Sequence, residues 1–155
     1  MPYKKYAGNP VGVTNTQSTT VPMWTLTVVN PATRPHLYDY ISGNVAAPAD
    51  QAALFQVQRS AAPASNSTTV AGIALDFGEV ATSNNIVTAY ITLPALTAGA
   101  FLLSVAQNQR ATFRWVAAPD GEIMIPATAN SGVANMPITS TAAVASWAFT
   151  AHWWE

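Results

Sequence analysis

The sequence has no cysteine, which excludes disulfides and thiolate metal sites and leaves the redox character of its compartment unread. Charge is almost as scarce. Asp, Glu, Lys and Arg make up 8% of the 155 residues, against roughly 25% in an ordinary soluble domain. Six basic and seven acidic residues give a net charge of −1, without the basic footprint that a nucleic-acid partner demands. Long apolar runs are missing too: the longest, around Ala98 to Ala106, is about half of the ~20 residues that a spanning helix needs, so no membrane partner is expected. Lys4 and Lys5 are not followed by an apolar stretch, so the N-terminus does not read as a secretory signal. Histidine is limited to His36 and His152, which have no neighbouring ligands at metal-site spacing, and no glycine-rich phosphate loop occurs. The acidic groups Asp76-Phe77-Gly78-Glu79 and Asp120-Gly121-Glu122 offer oxygens for a hard cation but lack the density of a calcium loop. No catalytic residue, metal or cofactor is assigned, and an enzyme is not expected.

What is present is a chain that is 50% hydrophobic, with Thr, Ser, Asn, Gln and Ala in place of charges. Its length suits one domain that buries roughly 68–70% of its unfolded surface. Helical periodicity is weak and strand periodicity recurs. In Met23 to Val29, Trp24, Leu26 and Val28 alternate with Thr25 and Thr27, the pattern of a half-buried strand. Phe55 to Arg59, Ile86 to Leu93, Phe101 to Ala106, Ala111 to Val116, Glu122 to Ile125 and Val144 to Trp154 are further strands, separated by Pro, Asn and Gly. A loop is expected from Ser60 to Thr68, and one helical turn before Leu54, opened by Pro48-Ala49-Asp50. Short strands at this spacing predict an all-β, antiparallel, jelly-roll-like β-sandwich over residues 21–155. Residues 1–20 lack periodicity and are expected to form an extended or flexible N-terminal arm.

The aromatic and arginine positions suggest surfaces. Along the last strand Trp147, Phe149, Ala151 and Trp153 share one face, and Ala148, Thr150, His152 and Trp154 share the other. One face should be core, leaving Trp154 for a subunit contact, packing under a loop, or ligand stacking. Arg110, Thr112 and Arg114 alternate with Phe113 and Trp115, so both arginines are expected on one strand face, able to clamp a phosphate, a sialic acid or a carboxylate of a neighbouring subunit.

The run Asn108 to Pro119, followed by Gly121-Glu122 and by Ile125 to Gly132, resembles a family of small proteins encoded in tailed-bacteriophage genomes. Leu37 to Ile41, Pro48 to Ala52 and Val57 to Arg59 are similar to the same family, so the likeness spans roughly residues 37–132. The chain departs from the family pattern at Asp120, where a second glycine is usual, and around Ala74 to Val80, where the loop is shortened. The resemblance implies a virion structural role, a capsid decoration or cement protein with a β-sandwich body on the capsid surface.

Low charge and resemblance together lead to the expectation of a homo-oligomer, a trimer, that binds the major capsid protein and staples the shell. Lys4, Lys5, Tyr6, Arg110, Arg114, Trp153 and Trp154 are the interface candidates, with the arm reaching to an adjacent capsomer. The alternative is a receptor- or glycan-binding head of a tail or fibre, with Trp153, Trp154 or the Ser60 to Thr68 loop at its tip.

Overall fold

The C-terminal alternation organises the fold. Trp147, Phe149, Ala151 and Trp153 are all buried, and the strand that carries them lies at the centre of a sheet. The computed structural model describes residues 3–9, 15–16, 18–45, 48–62, 68–82, 84–88, 92–139 and 145–155. Its strands, in chain order, are β1 (Lys5–Gly8), β2 (Asn15–Thr16), β3 (Trp24–Thr27), β4 (His36–Asn44), β5 (Ala52–Ala62), β6 (Thr68–Ala71) and β7 (Ile73–Ala74). There follow β8 (Asn85–Thr88), β9 (Ala95–Asn108), β10 (Phe113–Val116), β11 (Ile123–Met124), β12 (Gly132–Pro137) and β13 (Ser146–Trp154). One sheet runs β10-β4-β13-β1-β7, with β11 on β4 and β2 on β13; the other runs β6-β8-β3-β12-β5-β9. All pairs are antiparallel, no helix occurs among the described residues, and the two sheets pack as the expected β-sandwich.

Aromatic side chains fill the space between the sheets. Trp24 of β3 meets Tyr40 and Phe149 of the opposite sheet at ring-centroid distances of 5.3 and 5.8 Å, and Phe55 of β5 meets Trp147 edge-on at 5.0 Å. Such pairs add about 0.5–1.5 kcal/mol each beyond their area burial. Buried polar bonds also cross the gap: Asn135 Nδ2 donates to Tyr40 Oη at 2.9 Å, and Ser42 Oγ donates to Gln107 Oε1 at 2.8 Å.

At one end of the sandwich the packing is tighter still. Trp153 is fully buried, with its indole against Gly8 of β1 and Gly72, the single residue between β6 and β7. A methyl group at Gly72 would sit 2.5 Å from both Thr82 Cγ2 and Trp153 Cζ2, and one at Gly8 would collide with Ile86 Cγ1. Trp153 Nε1 donates to Glu155 Oε1 at 3.1 Å, and the same oxygen accepts from Thr82 Oγ1 at 2.5 Å and Asn84 Nδ2 at 2.7 Å. Asn84 Oδ1 in turn accepts the Val29 N–H at 2.9 Å, so one carboxylate ties the last strand of one sheet to the end of β3 in the other.

Several expectations are corrected. Residues 5–8 are not an arm: β1 lies between β13 and β7, and β2 also pairs with β13, because extended backbone satisfies its N–H and C=O groups in the ladder. The helical turn before Leu54 is absent in the described residues 48–51, and β5 begins at Ala52. β5 also runs on through Ala62, shortening the expected loop; residues 63–67 of that loop, and 89–91 and 144 of two expected strands, lie outside the described residues. β4, the partner of β10, β11 and β13, was not predicted, since Asp39, Ser42 and Gly43 break its apolar alternation. β12 was missed behind the Asn130-Ser131-Gly132 turn signal. Finally, Thr25 and Thr27 are buried along with Trp24 and Leu26, so β3 is closed on both faces rather than half-buried.

The packing around Trp153 predicts two distinct costs. Trp153→Ala should destabilise the fold by about 3–5 kcal/mol through cavity formation, and Gly72→Ala by about 1–3 kcal/mol through overpacking. Urea denaturation followed by far-UV circular dichroism measures both.

Candidate functional site

The outer face of the seven-stranded sheet gathers a group of chemically capable side chains. Register places Met124 beside His36, His36 beside Trp154, and Trp154 beside Lys5, so these four form one row across β11, β4, β13 and β1. Alternation turns all of them away from the core. The His36 ring stacks on Trp154 at 3.6 Å and 19°, and Tyr3 covers Trp154 at 4.1 Å.

A bulge shapes the next row. Between His152 and Trp153 the register shifts so that His152 faces Asp39 and Trp153 faces Leu37, leaving Tyr38 without a partner of its own. Two consecutive residues, Tyr38 and Asp39, are thereby directed to the same outer face, the re-aiming that bulges produce. Tyr38 stacks on His152 at 6.1 Å, while Asp39 turns to Arg114 on the neighbouring β10.

These rows and the loop between β10 and β11 enclose an open groove of about 630 Å³, lined by Tyr3, Lys5, His36, Tyr38 and Trp154 on one side and by Ala117, Pro119, Asp120, Glu122 and Met124 on the other. Burial and the nearby Arg34 lower the His36 pKa, outweighing the opposite pull of Glu122, so the imidazole in the stack is neutral at neutral pH. Burial raises the Tyr38 pKa, with Asp39 adding to the shift, and its phenol stays protonated.

Next to Tyr38, Asp39 forms an ion pair with Arg114. Arg114 binds Asp39 through both arms of its guanidinium, Nε to Oδ1 at 3.0 Å and Nη2 to Oδ2 at 2.6 Å, and His152 Nδ1 lies 3.4 Å from Oδ2. The Asp39 carboxylate raises the Arg114 pKa by this hydrogen bonding and by its charge. Asp39 is almost completely buried, whereas Arg114 is largely exposed.

The predicted interface residues therefore separate. Trp154 and Lys5 come together in the groove. Trp153 and Tyr6 are core residues that a partner cannot reach, and the Tyr6 hydroxyl donates to the Val80 carbonyl at 3.2 Å. Arg110 sits in the turn before β10 and does not share a strand face with Arg114; the Arg110 N–H is held by Asn108 Oδ1 at 2.9 Å. Arg114 finds its carboxylate within its own chain. Lys4 is paired with Glu79 at 2.8 Å, the contact that chiefly raises its pKa. Among the described residues no three His, Asp or Glu side chains are grouped to hold a metal ion.

Two further surfaces were not anticipated. At the β6/β7 side, Ile73, Leu75, Phe77 and Val80 are all exposed, with Phe77 entirely so at the tip of a turn. The turn is braced by Gly78 N–H to Asp76 Oδ1 at 3.1 Å, Leu75 N–H to the Lys5 carbonyl at 2.8 Å, and the Lys4–Glu79 pair. At the opposite side, β9 is the end strand of its sheet, spans 14 residues, and has no strand on its outer edge among the described residues. From Val80 to Gln109 the sequence contains no Asp, Glu, Lys or Arg. Free edges are ordinarily guarded by charge. The signal for this edge was legible as an uncharged run, but only the sheet order shows that the run ends a sheet.

No family model, curated protein or solved structure matches the chain.

Because Asp39 is buried and Arg114 is not, removing the guanidinium should strand a carboxylate in the sheet. Arg114→Leu should therefore lower Tm more than the double variant Arg114→Leu/Asp39→Asn, in thermal melts at pH 7. The lowered His36 pKa has its own signature. The unfolded chain binds the extra proton first, so stability present above about pH 6.5 should be lost as pH falls through the folded-state value. His36→Gln should flatten that part of a pH–stability curve.

Proposed function

We propose that the chain is a noncatalytic virion structural protein, a capsid decoration or cement protein that assembles as a homotrimer and binds the major capsid protein on the capsid surface. The observation that carries this reading is the pairing of two unlike adhesive sides on one sandwich: the uncharged free edge of β9 at one side and the exposed Ile73, Leu75, Phe77 and Val80 at the other. Contiguous exposed apolar groups on a rigid turn are features of interaction surfaces, and a long edge without charges is a template for another chain. Two different patches on opposite sides favour a head-to-tail contact, which closes into a ring when the rotation allows and suits the threefold positions of an icosahedral shell. The N-terminal residues 5–8 are occupied in the chain's own sheet, so stapling falls to the strand edges and the Phe77 turn rather than to an arm.

Sedimentation equilibrium and co-sedimentation with purified capsids test this. The wild type should be a trimer that pellets with capsids. Phe77→Asp and Phe101→Lys, which alter exposed side chains, should each reduce association by tenfold or more, about 1.4 kcal/mol, with unchanged Tm of the monomer. A monomer that ignores capsids would refute the proposal.

A further inference from the structure

The groove on the outer face has a composition that assembly does not require. We infer that it is a saccharide-binding site, with the aromatic row as the platform and Asp120, Glu122 and Lys5 as the polar contacts. This goes beyond the assembly reading and does not depend on it.

The chemistry of the lining selects the ligand. Tyr3 is 66% exposed and leans at 47° against Trp154, which itself stacks on His36. An aromatic platform favours a ligand with a flat, weakly polar face, and the ring C–H face of a hexose is such a surface. Around it stand two carboxylates and one ammonium, with His36 neutral, so the groove has little net charge. An apolar ligand would desolvate those charges without replacing their hydrogen bonds. An anion would meet Asp120 and Glu122, and a cation would meet Lys5. A neutral polyol satisfies all three, its hydroxyls donating to the carboxylates and accepting from the Lys5 ammonium. A volume of about 630 Å³ is in the range of pockets that hold small organic ligands, and its open form suits a chain of a few sugar rings.

Backbone geometry at Asp120 gives independent support. Gly121 N–H donates to the Ala118 carbonyl at 2.8 Å, closing a turn with Pro119 at its second position and Asp120, at φ 61°, at its third. This is the type II turn, whose third position is the natural place for glycine. The chain instead places one of its seven acidic residues there, in the left-handed region, and that residue lines the groove. Asp tolerates this conformation, and the turn holds its carboxylate-bearing residue at the edge of the groove.

The test titrates the full chain with free neutral trisaccharides built from glucose, galactose and N-acetylglucosamine, and with tetramethylammonium as a cationic control, by two-dimensional NMR. Free ligands report this groove whatever the oligomeric state. At least one trisaccharide should bind at millimolar concentration, shifting resonances of Tyr3, Tyr38 and Trp154. Asp120→Gly should melt at or above the wild-type temperature and bind about tenfold more weakly, and Tyr3→Ala should lose about the same while Tyr3→Phe retains binding. Absence of any saccharide binding, binding that survives both Asp120→Gly and Tyr3→Ala, or binding of tetramethylammonium alone would each overturn the inference.

Discussion

The seat of Trp153 is the constraint on which the rest of the structure depends. An indole fits there only because Gly8 and Gly72 present no side chain, and its N–H is satisfied only because Glu155 follows two residues later. The same carboxylate oxygen accepts from Thr82 and Asn84, and Asn84 reaches the backbone of Val29. Burying a polar atom is tolerable when its hydrogen bonds are complete, and this network completes them at the point where the chain passes from one sheet to the other. With β13 fixed in this way, β1 and β4 align on its two sides, and the outer row of Lys5, Trp154 and His36 follows from their register.

That dependence explains how interior and surface are coupled. Trp153 and Trp154 are adjacent in sequence and opposite in fate: one is sealed between the sheets, the other stacks on His36 and touches Tyr3 at the groove. The bulge at Tyr38 interrupts the alternation once, so that Asp39 can be buried yet still face Arg114 and His152 on the outer side. The scarce charges are used sparingly and locally. Asp39 with Arg114 fixes β4 against β10, Lys4 with Glu79 braces the Phe77 turn, and Glu155 closes the sandwich end. The long edge strand β9 carries none of them in its own sequence.

Period-2 alternation makes much of the fold legible in the sequence. Trp147, Phe149, Ala151 and Trp153 point inward as their spacing requires, and Phe113 and Trp115 oppose Arg114. The same rule failed for β4, where Asp39, Ser42 and Gly43 interrupt the apolar pattern because a bulge and buried polar bonds substitute for apolar contact. It failed again for Thr25 and Thr27, since polarity predicts exposure only when a face is left uncovered. Of the groove, Trp154 was legible as an outward aromatic, and Lys5 as one of few charges. Asp120 and Glu122 were legible as a local pair of oxygens, but Tyr3 and Tyr38 were not, and the four meet only through sheet order and one turn.

By itself the sequence determined an all-β sandwich, the inward face of its last strand, and a surface nearly free of charge, because these follow from composition and from alternation along single segments. Tertiary structure alone decided that residues 5–8 belong to the sheet, that Trp153 and Tyr6 are core, that Arg114 is answered by Asp39, and that Lys5, Tyr38, Trp154 and Asp120 share one groove. The reason is physical. Alternation says which side of a strand is buried, but the pairing partners are set by long-range backbone hydrogen bonds and by shape fits such as an indole between two glycines.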